Sequence, residues 1–120
     1  VSVAGVFDLE LMWSTGDIED HQFGENYLRK AIGHDPQVLR ANSPVHNVDK
    51  LGIPVLLAHG SKDWRVDVKH FERMVMELEA RNHPHETLLE KREGHGFYDE
   101  ENRAEYLRKL ESFLDRHIGD

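Results

Sequence analysis

The chain has 120 residues, enough for one small domain with a hydrophobic core of its own. Apolar residues make up 38% and charged residues 32%, the balance of a globular chain rather than a disordered one. A formal net charge of −8 argues against nucleic acid or an anionic membrane surface as partner, no long apolar run marks a membrane span, and the absence of cysteine excludes disulfides and thiolate metal sites.

In chain order, the first element is an apolar run from Ser2 to Phe7, which reads as a buried strand of a parallel sheet. A natural terminus is rarely placed directly before such a strand, so Val1 is expected to be a cut edge. From Asp8 to Ser43 the pattern is weaker, with short helices expected near Leu9 to Ser14, Asn26 to Ile32 and Pro36 to Ala41, punctuated by glycines 16, 24 and 33. A second strand follows from Ile53 to His59, its early proline tolerated at a strand start. Apolar residues at three- and four-residue spacing predict a helix from Val68 to Arg81. The less apolar run His85 to Glu90 reads as a strand near a sheet edge. A final helix from Glu100 to His117 carries the stripe Ala104, Leu107, Leu110, Phe113, Leu114 and Ile118, with Gly119 as its stop.

Strands alternating with helices imply an α/β fold of about three parallel strands joined by right-handed crossovers. Active groups of such sheets gather in the loops at the carboxyl ends of strands. Two of those loops carry chemistry: His59-Gly60-Ser61-Lys62-Asp63-Trp64-Arg65-Val66 and Glu93-Gly94-His95-Gly96-Phe97-Tyr98. An acid at one strand end and a histidine at the next make the acid–base half of a catalytic triad: the carboxylate orients the imidazole, and the imidazole activates a hydroxyl. Glycines beside His95 let the backbone turn and leave the ring accessible.

His-Gly-x-x-Asp-x-Arg-Val followed by Glu-Gly-His-Gly-Phe resembles the C-terminal part of the α/β-hydrolase catalytic domain of the prolyl oligopeptidase family. Ala41-Asn42-Ser43-Pro44 before Lys50-Leu51-Gly52-Ile53-Pro54 resembles that family's approach to the acid-bearing strand, and Val3 to Leu9 its strand after the nucleophile helix. The resemblance spans nearly the whole chain, so residues 1–120 are expected to form one portion of that domain. It implies that Asp63 is the triad acid and His95 the base, and that Arg65 contacts substrate; Trp64 beside it is expected to line the substrate cleft. Asp67 stands where the family often has proline. The family's order is Ser, acid, His, with the serine in a Gly-x-Ser-x-Gly elbow. None of the serines at 2, 14, 43, 61 and 112 lies in such an elbow. The nucleophile is therefore expected upstream of Val1, and this chain alone is expected to be inactive.

The implied activity is a serine peptidase acting on oligopeptides, with peptide as substrate, the rest of its own catalytic domain as partner, and no metal or organic cofactor. Two rivals remain: a carboxylesterase or acyl hydrolase of the same fold, and a non-catalytic α/β interaction module. An unpaired first strand would expose an apolar edge and favour self-association. The bland readings fall elsewhere. His59 reads as a packed histidine, His83-Pro84-His85 lacks the further ligands of a metal site, and Glu72 to Arg81 reads as a solvated helix face.

Overall fold

The computed structural model describes residues 1–18 and 23–119. Three parallel strands, β1 (Ser2–Val3), β2 (Val55–Gly60) and β3 (His85–Glu90), form a sheet in the order β1-β2-β3. Four helices accompany them: α1 (Gly24–Ala31), α2 (Pro36–Asn42), α3 (Lys69–Ala80) and α4 (Glu100–Ile118). Single 3-10 turns at Leu11–Trp13, Pro44–His46 and Val48–Lys50 fill the excursion between β1 and β2. The parallel α/β order expected from the sequence is the one observed, with β3 at a sheet edge.

β2 is buried on both sides because it is the central strand. Leu56, Leu57, Ala58 and His59 are all within 2% of complete burial. Leu57 meets Phe7, Val45 and Val48 from the excursion and Phe71, Met74 and Leu78 from α3. Leu78 is fully buried, and truncating it to alanine would cost about 2–5 kcal/mol. α3 ends where Asn82 takes a left-handed conformation, φ 52°, with the His83 N–H returning to the Leu78 carbonyl at 2.9 Å. Asparagine tolerates that conformation better than most residues, which stops the helix one turn before β3.

Two expectations need correction. β1 stops at Val3 rather than reaching Phe7, because Ala4 turns to φ 48° and the chain folds back on itself. At Gly5 a Cβ would lie 2.4 Å from Ser2 Oγ and 2.6 Å from the Phe7 ring, so a larger residue there would displace both side chains. The expected Leu9 to Ser14 helix is only the turn Leu11–Trp13. Asp8 Oδ1 accepts the N–H groups of Glu10 (3.0 Å) and Leu11 (3.2 Å), a side-chain turn that competes with regular helix. The α4 stripe is real in spacing yet mostly uncovered: only Phe113 is buried, while Leu107 and Ile118 are more than half exposed. α4 is tied to the sheet edge through Glu86, which pairs with Lys109 at 3.7 Å and with Arg116. None of the described helices is long and apolar enough to cross a membrane.

Candidate active site

The β2–β3 ladder ends level, with Gly60 opposite Glu90. From that level the two chemistry-bearing loops rise side by side and are sewn together. The Ser61 N–H donates to the Glu90 carbonyl (2.9 Å) and the Lys62 N–H to the Glu93 carbonyl (2.9 Å). Ser61 Oγ donates to the Lys91 carbonyl at 2.6 Å. Gly60 sits so close to the neighbouring loop that a Cβ would lie 2.2 Å from the Gly94 oxygen.

This seam brings Asp63 and His95 together. His95 Nδ1 donates to Asp63 Oδ2 at 2.9 Å. The other carboxylate oxygen, Oδ1, accepts the N–H groups of Arg65 (2.9 Å) and Val66 (3.0 Å). Asp63 has no exposed side-chain surface, whereas the His95 ring is 37% exposed. A buried carboxylate held by two backbone donors is a fixed acceptor, and the imidazole it orients keeps Nε2 for a reacting group. Among the described residues no serine hydroxyl is hydrogen-bonded to that nitrogen. Ser14, Ser43 and Ser61 donate to backbone carbonyls, and Ser112 pairs with Arg116.

His59 is a buried neighbour of this acid. Its Nε2 donates to the Val66 carbonyl at 2.9 Å and lies 3.4 Å from Asp63 Oδ2. The carbonyl can only accept, so Nε2 carries the proton, and among the described residues the buried Nδ1 has no hydrogen-bond partner. The ring also packs against Phe71, centroids 5.9 Å apart, in line with a packing role.

Arg65 and Trp64 follow Asp63 in the acid loop. Trp64 is 63% exposed, and the Arg65 guanidinium lies 5.4 Å from its ring centre. Arg65 also pairs with Asp17 at 3.7 Å. Arg65 and His95 border a depression of about 430 Å³, whose walls include Val6, Met12, Tyr27 and Val66 and whose rim includes Asp17. Trp64 is not part of that lining; it sits outside, stacked on the arginine.

Sequence reading passed over a second set of buried polar groups. Asp8 is buried, and its Oδ2 binds Arg73 at 2.5 Å. Burial alone would raise its pKa, but the Arg73 hydrogen bond and the two backbone donors hold it below the ordinary carboxylate value. His70 Nδ1 accepts the Phe7 and Asp8 N–H groups at 3.3 and 3.2 Å. Its burial lowers its pKa to about 4, against the raising influence of Asp8 and Asp67. Asp8, Glu10 and His46 offer donor atoms within 4.8 Å of one another, yet both Asp8 oxygens are already engaged. The histidines at 83 and 85 each bond a backbone carbonyl, Ile53 and His83 respectively.

The chain is 30% identical to dipeptidyl aminopeptidase BIII of Pseudoxanthomonas mexicana, over 99% of its own length and 18% of the relative's. It is 31% identical to the uncharacterized peptidase YtmA of Bacillus subtilis, over 95% of its length and 44% of the relative's. A solved puromycin-hydrolyzing peptidase of Mycobacterium tuberculosis superimposes with a TM-score of 0.87 at 27% identity, covering 98% of this chain and 18% of that one. The chain thus spans 18% to 44% of the length of these relatives, and its three parallel strands and flanking helices are those of α/β-hydrolase peptidases. The family model of the prolyl oligopeptidase family matches residues 1–120, end to end, and this chain belongs to that family.

Proposed function

We propose that this chain supplies the acid and base of a serine peptidase, Asp63 and His95, to a catalytic domain whose nucleophilic serine lies in a segment before Val1. The observation that carries the reading is the His95–Asp63 hydrogen bond, 2.9 Å long, between a fully buried carboxylate and a partly exposed imidazole. In the reaction, His95 Nε2 takes the serine proton as the serine oxygen bonds to the scissile carbonyl carbon. The same proton then passes to the leaving amine as the C–N bond breaks, and water repeats the sequence to free the acyl group. Asp63 holds the reactive tautomer and stabilises the imidazolium. Arg65, at the edge of the depression, is the group for a substrate carbonyl, with Trp64 stacked behind it.

The similarity to a dipeptidyl aminopeptidase and to a puromycin-hydrolyzing peptidase supports a peptide bond rather than an ester as target. The rest of the catalytic domain is the natural cover for the free edge of β1 and for the apolar stripe on α4. Without that cover the chain self-associates; a sharp monomer in sedimentation at all concentrations would count against this. The activity test compares the full-length protein with its His95→Ala variant on matched peptide and ester substrates, together with fluorophosphonate labelling. Peptide turnover lost in the variant supports the reading. Ester turnover alone would favour an acyl hydrolase, and labelling of this chain by itself would place the nucleophile among its own serines.

A further inference from the structure

We infer that Glu93 is a positioning residue for His95, whose carboxylate closes the base-bearing loop so that the imidazole stands against Asp63. The inference rests on the reading of Asp63 and His95 as acid and base. Glu93 is buried to 5% exposure, two residues before His95, and its carboxylate reaches past the histidine to the other end of the loop. Oε2 accepts the Tyr98 N–H at 3.1 Å; Oε1 accepts the Asp99 N–H and the Asn102 side-chain amide, both at 2.9 Å. Its main chain faces the opposite way, with the carbonyl accepting from the Lys62 N–H beside Asp63. One residue thus ties the acid loop to both flanks of the base loop.

A carboxylate is the group this place requires. Three donors converge on two oxygens, and an ionised carboxylate offers acceptors only. The Asn102 amide, then the Tyr98 and Asp99 N–H groups, lower its pKa below the ordinary carboxylate value. A helix-capping role does not account for the arrangement. Asp99 caps α4 itself, accepting from the N–H groups of Glu101 (3.0 Å) and Asn102 (3.3 Å). Within the loop Gly94 and Gly96 flank His95 and form an isolated bridge, and Gly96 adopts φ 154°. Between two glycines, the histidine's place is set by what holds the loop ends.

The test uses the full-length protein with Glu93→Ala, Glu93→Gln and Asn102→Ala, and Asp63→Asn as control. Turnover of a peptide substrate, the urea midpoint and the NMR signal of the His95 Nδ1 proton are read together. Glu93→Ala is expected to lower kcat about 100-fold with KM nearly unchanged, and Glu93→Gln about tenfold, since a misplacement near 1 Å has effects of that size. Asn102→Ala, which removes one of three bonds, is expected to lower kcat about threefold on the same basis. The Nδ1 signal should broaden in the same order. If Glu93→Ala proves too unstable to assay, the glutamine and Asn102 variants decide, because each leaves most of the loop's bonds in place. Variants that lower the urea midpoint while keeping kcat and the Nδ1 signal would overturn the inference and leave Glu93 as a structural staple. Should Asp63→Asn leave turnover intact, the acid–base reading itself falls, and the role of Glu93 with it.

Discussion

Asp8 and Asp63 invite comparison because the chain builds nearly the same structure around each. Both follow a strand of the parallel sheet, and both are buried. Each uses Oδ1 to accept the N–H groups two and three residues ahead: Glu10 and Leu11 for Asp8, Arg65 and Val66 for Asp63. Each aims Oδ2 at a side chain from a distant element, and each has a fully buried histidine packed nearby, His70 or His59. The difference lies in the partner. Asp8 faces the guanidinium of Arg73, which offers donors only, whereas Asp63 faces an imidazole, whose second nitrogen can take up a proton and hand it on. The first arrangement can only hold a loop; the second can hold a loop and move a proton.

The comparison predicts that matched substitutions have opposite signatures. The largest effect belongs to Asp63→Asn, which keeps the local turn but loses the charge facing His95. By analogy with the equivalent change in a serine protease triad, kcat of the full-length protein should fall about 10⁴-fold with the urea midpoint little changed. Equal loss of activity and stability would show that Asp63 is structural, like Asp8. Asp8→Ala should do the reverse, lowering stability by about 2–3 kcal/mol through orphaned donors while the His95 Nδ1 signal stays in place. Urea unfolding of the same samples checks both.

A pH titration separates the two histidine environments. His70 has a folded-state pKa of about 4 against 6.5 for the ordinary group, so the unfolded chain binds its proton first. Its contribution to stability is present in full above pH 6.5 and is lost as pH falls toward 4. Between pH 7 and pH 5 the urea midpoint should drop by the equivalent of roughly 1–2 kcal/mol. His70→Gln, whose amide oxygen can accept the same N–H groups, should flatten that slope. An unchanged slope would assign it to other groups, Asp8 and Asp67 being the charges nearest His70. The smallest effect is expected for Trp64→Ala. The ring is exposed, so stability should move by less than about 0.5 kcal/mol, with any change confined to KM.

What the sequence made legible follows from periodicity and from the local turn. β2, β3, α3 and α4 were readable to within two residues because their apolar residues recur at strand or helix spacing over a full element. β1 was overextended because Val6 and Phe7 continue the apolar run after Ala4 and Gly5 have turned the backbone away. Asp63 and His95 could be proposed together because each ends a strand in a Gly-bearing loop. The Asp8–Arg73 pair, its ends 65 residues apart, left no such trace, and neither did the His70 contacts. Arg73 sits on a helix face that reads as solvated, and half its side chain is in fact exposed; only its tip turns inward. The stripe on α4 shows the converse limit, since periodicity reports a face that wants cover and cannot say what supplies it.

The level ending of the β2–β3 ladder, Gly60 opposite Glu90, has a consequence for how such chains tolerate change. Asp63 stands three residues beyond that level and His95 five, so the spacing of the pair is counted out by two short segments with no slack. An inserted or deleted residue in 61–63 or 91–95 moves one partner by a full backbone step, while the other stays pinned. The turn between α3 and β3, around Asn82 and His83, sits at the opposite end of the sheet and bears on neither count. Length variation among kindred chains should therefore collect at that lower turn and be purged from the upper one, making the sheet a ruler read from one end.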